Sequence, residues 1–170
     1  MFPVAVLVGP PGAGKTTIGL GVASALGVAF ADTDSIIEER AGKPIPDIFA
    51  EDGEPAFRVL EREVVASSLA SFAGVLALGG GAVLDEATRK LLREHTVVFL
   101  SVGLSDAVRR VGLGAGRPLL ATDPHATMKV LLEQRRRLYV EVARHTVTTD
   151  GREPVEIAAE VVATLHHRTP

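Results

Sequence analysis

The sequence has no cysteine among its 170 residues, which excludes disulfides, thiolate metal sites and cysteine nucleophiles. It has no long basic run, and 18 Lys+Arg against 21 Asp+Glu leave a formal net charge of −3. Neither nucleic acid nor an anionic membrane is therefore indicated as the main partner. No apolar run is long enough to span a bilayer, and the apolar start over 2–8 lacks the basic region of a signal peptide. A cytoplasmic location agrees with these absences. The histidines His95, His125, His145, His166 and His167 make no helical i,i+4 pair with a Glu or other metal-like arrangement, so no zinc site is expected. No repeat or low-complexity segment is present. What remains is a chain 46% hydrophobic, of a length that suits one domain over 1–170 with a substantial core.

The stretch that organises it is Gly9-Pro10-Pro11-Gly12-Ala13-Gly14-Lys15-Thr16. It matches the spacing of a nucleotide-phosphate loop and joins an apolar run at 4–8 to a helical pattern with Ile18, Val22, Ala25 and Leu26 on one face. Glycines expose successive backbone N–H groups that a side chain would partly cover. Lys15 is expected to reach the β- and γ-phosphates and the Thr16 hydroxyl to ligate Mg²⁺, while the helix that follows points its positive end at the anion.

Further short apolar runs at 28–31, 75–78, 96–101 and 145–148 alternate with helical patterns. This alternation favours a parallel sheet covered by helices on both faces, with ligands at the carboxyl ends of the strands. Asp32-Thr33-Asp34-Ser35 follows the second run and lies at that edge. Asp34 or Ser35 is expected either to cap a helix over 36–40 or to face the nucleotide. Phosphoryl transfer to an alcohol needs one metal-associated carboxylate and one that orients or deprotonates the hydroxyl.

A short helix carries Ile45, Ile48 and Phe49, and a longer one opens with Pro55 and buries Phe57, Leu60, Val64 and Leu69. Arg58 stands in its first turn, where the helix dipole disfavours a cation. It either pairs with Glu54 or Glu61 or binds a substrate carboxylate. Gly79-Gly80-Gly81 at the end of the third run reads as a turn against which a ligand lies. Ser105 is expected to cap a helix reaching 111. Gly112, Gly114 and Gly116 then lead to Arg117-Pro118, the pattern of a mobile lid over 112–123 that brings a cation to the phosphates. Asp123-Pro124 opens a helix held by Met128, Leu131, Leu132 and Leu138, whose Arg135-Arg136-Arg137 run is too basic for packing alone. The last run is followed by a turn at 149–154 that is expected to border the nucleotide base. The closing amphipathic helix carries Val155, Ile157, Ala158, Val161, Val162 and Leu165.

In this order the motifs resemble those of the shikimate kinase family over essentially the whole chain. They are the phosphate loop, the Asp32-Thr33-Asp34 pair, Gly53-Glu54-Pro55-Ala56-Phe57-Arg58-Val59-Leu60-Glu61, Leu78-Gly79-Gly80-Gly81-Ala82, Arg117-Pro118-Leu119-Leu120, and Arg135 through Tyr139. The resemblance implies a three-layer α/β fold with a five-stranded parallel sheet, like that of the P-loop nucleoside-monophosphate kinases. It implies transfer of the ATP γ-phosphoryl to the 3-hydroxyl of shikimate. The chain is expected to act as a monomer on this small-molecule substrate, with no nucleic-acid or membrane partner.

By the same resemblance Gly12, Ala13, Gly14, Lys15, Thr16 and Thr17 hold the phosphates, and Thr16 and Asp32 serve Mg²⁺. Asp34 holds the shikimate hydroxyls and acts as base, with Lys15 and Arg117 as the cations at the transferred group. Arg58, Arg135, Gly79, Gly80 and Gly81 bind shikimate, and Arg110, Arg152 and Pro154 border the adenine. The family's Arg-x-Pro-Leu-Tyr stands here as Arg135-Arg136-Arg137-Leu138-Tyr139. The missing proline lets the helix run further and leaves Arg136 as an alternative to Arg135.

Overall fold

A computed structural model describes residues 2–111 and 123–167. Strand β1 (Ala5–Val8) runs into helix α1 (Lys15–Leu26), and β2 (Ala29–Asp32) passes directly into α2 (Thr33–Ala41), followed by α3 (Ile45–Glu51) and α4 (Glu54–Ser71). After β3 (Gly74–Ala77) come a 3₁₀ turn, Ala82–Leu84, and α5 (Glu86–Leu92). Strand β4 (Val97–Ser101) leads to α6 (Leu104–Val111) and α7 (Pro124–Val142), and β5 (His145–Thr148) to α8 (Pro154–His166).

The five strands are parallel in the order β2-β3-β1-β4-β5. Central β1 pairs on both sides, Leu7 lying opposite Ala77 of β3 and Val98 of β4. Its side chains alternate between two cores. Leu7 packs with Ile18 and Val22 of α1 and Ile157 and Val161 of α8, whereas Val6 and Val8 pack with Val65 and Leu69 of α4 and Leu92 of α5. A strand covered on both faces must be apolar at every position, which is why this run shows no period-two pattern. A smaller cluster of Ile37, Ile48, Phe57 and Val64 ties α2, α3 and α4 together beside the sheet. The chain crosses from one side of β1 to the other after β3, so the carboxyl ends of β1, β2 and β3 open onto one crevice.

Several local expectations need correction. Helix α2 starts at Thr33 rather than Ile36, and its cap is Asp32, whose carboxylate accepts from the Asp34 N–H; neither Asp34 nor Ser35 is the cap. On α1 the buried stripe is Ile18, Gly19, Val22 and Ala23, and Ala25 is exposed because it lies off that stripe. Val155 is 80% exposed, two residues before the buried Ile157 and so on the opposite side of α8. Ser105 lies inside α6, which opens one residue earlier with Ala107 N–H bonded to the Gly103 carbonyl. The cap at Asp123 stands as expected, accepting from the Ala126 N–H; Asp85 caps α5 by accepting from the Thr88 N–H. Helix α7 continues unbroken through Arg137, as the absence of proline there allows.

Candidate active site

The phosphate loop leaves β1 and enters α1 through two glycines in the left-handed region, Gly12 at φ 83° and Gly14 at φ 86°. Gly14 is the cap of α1 and has no side chain with which to bond the first turn. The positive end of the helix therefore faces the loop. Lys15 arches back over it, donating from Nζ to the carbonyls of Gly9 at 2.7 Å and Pro10 at 3.1 Å. Loop residues 12–17 line a cleft of about 500 Å³ together with Asp32, Asp34, Leu78, Gly80, Arg152 and Pro154.

The acidic pair sits where β2 becomes α2. Asp32 Oδ2 accepts from the Thr16 hydroxyl at 3.1 Å and Oδ1 from the Asp34 N–H at 2.8 Å. Thr16 and Asp32 thus bring two hard oxygen donors to the same end of the phosphate loop. That donor set suits Mg²⁺, which takes few protein ligands and completes its shell with water and phosphate. Among the described residues no group of three or more His, Asp and Glu side chains could hold a metal.

Each glycine of the triple-glycine turn lies against a different working group. A Cβ on Gly79 would stand 2.5 Å from Asp34 Oδ1, one on Gly80 2.9 Å from Pro11 Cδ, and one on Gly81 2.6 Å from Arg58 Nη2. The turn therefore touches the acidic pair, the phosphate loop and the arginine of α4 at once. Its own backbone is held by Thr33, whose hydroxyl accepts from the Gly79 N–H at 3.2 Å, and by Tyr139, whose hydroxyl donates to the Gly80 carbonyl at 2.6 Å.

Arg58 does pair with its helix neighbours, donating to Glu61 at 2.7 Å and Glu54 at 3.3 Å, yet these pairs hold its guanidinium beside Gly81. Glu61 is only 4% exposed. Burial raises its pKa above the usual carboxylate value, opposed by the charge and hydrogen bond of Arg58; the Asp34 carboxylate adds to the rise and Arg135 opposes it. Arg135 is 5% exposed and also bears on Tyr139 through charge and a hydrogen bond. Arg136 points elsewhere, donating to Ser101 Oγ at 3.1 Å with its guanidinium 5.7 Å above the Phe99 ring. Arg58, Glu61, Arg135 and Asp34 thus form one charged cluster beside the glycine turn.

Arg152 donates to the Thr148 carbonyl at 2.8 Å and pairs with Glu160 at 3.0 Å, and it lines the cleft together with Pro154. Arg117 and lid residues 112–122 lie outside the described residues, as does the side chain of Arg110. The sequence reading assigned nothing to Thr33, treated Glu61 only as a partner of Arg58, and placed Tyr139 only in a motif. A signal for Glu61 was present: it falls one helical turn after Phe57 on the buried stripe of α4.

A phosphate loop at the switch point of a β2-β3-β1-β4-β5 sheet, with an acidic pair in the same cleft, defines a P-loop kinase of the nucleoside-monophosphate-kinase type. The family model for shikimate kinase matches residues 11–166. The shikimate kinase of Salinispora arenicola is 65% identical over 165 residues, 97% of this chain and 99% of that protein. A shikimate kinase from Acinetobacter baumannii, solved in complex with shikimate, superposes with a TM-score of 0.94 at 35% identity, covering 100% of this chain and 96% of that one. A gluconokinase from Sinorhizobium meliloti, at a TM-score of 0.57 and 21% identity over 95% of this chain and 90% of its own, shares the fold. The chain belongs to the shikimate kinase family.

Proposed function

We propose a division of labour among the cleft residues for the reaction of this family, ATP-dependent phosphorylation of shikimate at its 3-hydroxyl to give shikimate 3-phosphate and ADP. The amides of 12–17 and Lys15 hold the phosphates of ATP, with Arg152 and Pro154 at the adenine end. Thr16 and Asp32 hold Mg²⁺, which supplies charge neutralisation at the phosphates when bound. Asp34 orients the acceptor hydroxyl and takes its proton as the hydroxyl oxygen bonds to the γ-phosphorus and the bond to the ADP oxygen breaks.

Arg58 and Arg135 bind the shikimate carboxylate through charge-assisted hydrogen bonds. Arg135 takes this role rather than Arg136, since Arg135 stands in the charged cluster and Arg136 is committed to Ser101. Gly79, Gly80 and Gly81 let the ring lie against backbone. Arg117, at the lid over 112–123, and Arg110, beside the adenine, are assigned on the family motifs. The chain works as a single-domain monomer in the cytoplasm, without nucleic acid or membrane partners; no helix among the described residues is long and apolar enough to cross a membrane.

One observation carries this reading: three successive glycines lie against Asp34, Pro11 of the phosphate loop, and Arg58. The turn joins a base, a phosphate cradle and a carboxylate anchor within one small-molecule site. Calorimetric titration tests it. Arg58→Ala should weaken shikimate binding about tenfold or more, the loss of a charge-assisted contact, and leave Mg-ATP binding intact. Unchanged shikimate affinity would remove Arg58 from the acceptor site.

A further inference from the structure

The two hydroxyls that hold the glycine turn are buried, at 0% exposure for Thr33 and 1% for Tyr139. Burying a hydroxyl is unfavourable unless it is hydrogen-bonded, and a valine or a phenylalanine would fill either space without that cost. Both hydroxyls act on the same short segment. Thr33 fixes the Gly79 N–H and Tyr139 the Gly80 carbonyl. The other bonds of the turn are internal, from Ala82 N–H to Gly79 O and from Leu84 N–H to Gly81 O. Among the described residues, the N–H groups of Gly80 and Gly81 have no partner.

Chain positions give these contacts their meaning. Thr33 lies between the two aspartates, so the residue that fixes one end of the turn is bonded covalently to Asp34. Tyr139 lies one helical turn after Arg135, so the residue that fixes the other end moves with the second arginine of the cluster. Stacking of Tyr139 on Phe99, with ring centroids 5.1 Å apart, holds the phenol on the sheet.

We propose that Thr33 and Tyr139 are positioning residues of the acceptor site, whose hydroxyls clamp the glycine turn at a fixed distance between Asp34 and the arginine pair. The inference rests on the reading of that turn as shikimate-binding. The clamp leaves the Gly80 and Gly81 N–H groups as donors for the acceptor and keeps the turn from collapsing onto either charged group. It acts on the acceptor and not on ATP.

The test compares Tyr139→Phe, Thr33→Val and Thr33→Ser with the parent protein in steady-state kinetics against shikimate and against ATP, with melting temperatures measured alongside and Arg58→Ala run in parallel. Thr33→Val should raise KM for shikimate about five- to tenfold, the effect of one lost hydrogen bond, and Tyr139→Phe at least as much because it also removes the bond with Arg135, while KM for ATP stays within about twofold. Thr33→Ser keeps the acceptor oxygen and should restore the shikimate KM. Both KM values unchanged in folded variants, or both raised together, would overturn the clamp as an acceptor-site device. If Arg58→Ala raises the shikimate KM while Tyr139→Phe and Thr33→Val do not, the clamp alone fails. If none of the three does, the acceptor site itself has been misassigned and the clamp falls with it.

Discussion

The backbone N–H of Asp34 donates to Asp32 Oδ1 at 2.8 Å, so the helix cap of α2 is also the bond that spaces the two carboxylates of the cleft. Asp32 is both the cap and the proposed Mg²⁺ ligand, and the two roles separate by substitution. Asp32→Ala should lower the unfolding free energy by about 1 kcal/mol through loss of the cap, whereas Asp32→Asn keeps a cap acceptor and should stay within a few tenths. Both should raise the Mg²⁺ concentration needed for half-maximal activity. Denaturant melts beside Mg²⁺ titrations of the rate check the two effects independently.

Glycines 79 and 81 make a second separable pair. A methyl on Gly79 meets Asp34 Oδ1 at 2.5 Å, and one on Gly81 meets the flexible end of Arg58. Gly79→Ala should therefore act mainly on kcat by displacing the proposed base, and Gly81→Ala mainly on KM for shikimate. Neither glycine has a positive φ, so the fold should survive both changes. Kinetics on the two variants, with circular dichroism to verify folding, check this split.

Much of this arrangement was legible in the chain. Strand β1 could be read because burial on both faces leaves no polar position, and the loop because Gly12, Gly14, Lys15 and Thr16 have fixed spacing. The cap of α2 was not legible. Strand β2 passes into the helix with no loop between them, so Asp32 is at once the last strand residue and the cap, and the cap falls earlier than residue types alone suggest. The choice between Arg135 and Arg136 was also open, because adjacent residues on a helix point about 100° apart and only packing decides which faces the cluster. Thr33 and Tyr139 stayed hidden because their partners are backbone groups of a turn far away in sequence.

The raised pKa of Glu61 sets the sign of a pH effect. A carboxyl whose folded value lies above its ordinary 4.5 holds its proton more tightly when folded. Its stabilising contribution is full below that value and is lost as pH rises through the folded pKa. The stability of the parent protein relative to Glu61→Gln should therefore decline from about pH 4.5 upward, as that linkage requires. Denaturant melts at a series of pH values check it; a difference that grows with pH would contradict the assignment.

Tyr139 is the only tyrosine and the chain has no tryptophan, so its ionisation can be read by absorbance without interference. Burial pushes the phenol up to about 12, against the ordinary 10.0. Its contribution to stability is full below 10.0 and is lost as pH rises toward about 12. Alkaline titration of the folded protein should show no tyrosinate at pH 10.0, where half appears once the chain is unfolded.

The central claim is that Asp34 acts as base on shikimate beside the phosphate loop. Its most direct measurement is ADP release with Mg-ATP and shikimate, run beside gluconate, AMP and CMP, for the parent protein and Asp34→Asn. The account predicts turnover on shikimate alone, with kcat lowered by roughly 10²-fold or more in the variant and the KM for ATP little changed. Parent-like kcat in Asp34→Asn, or faster turnover on another acceptor, would contradict it.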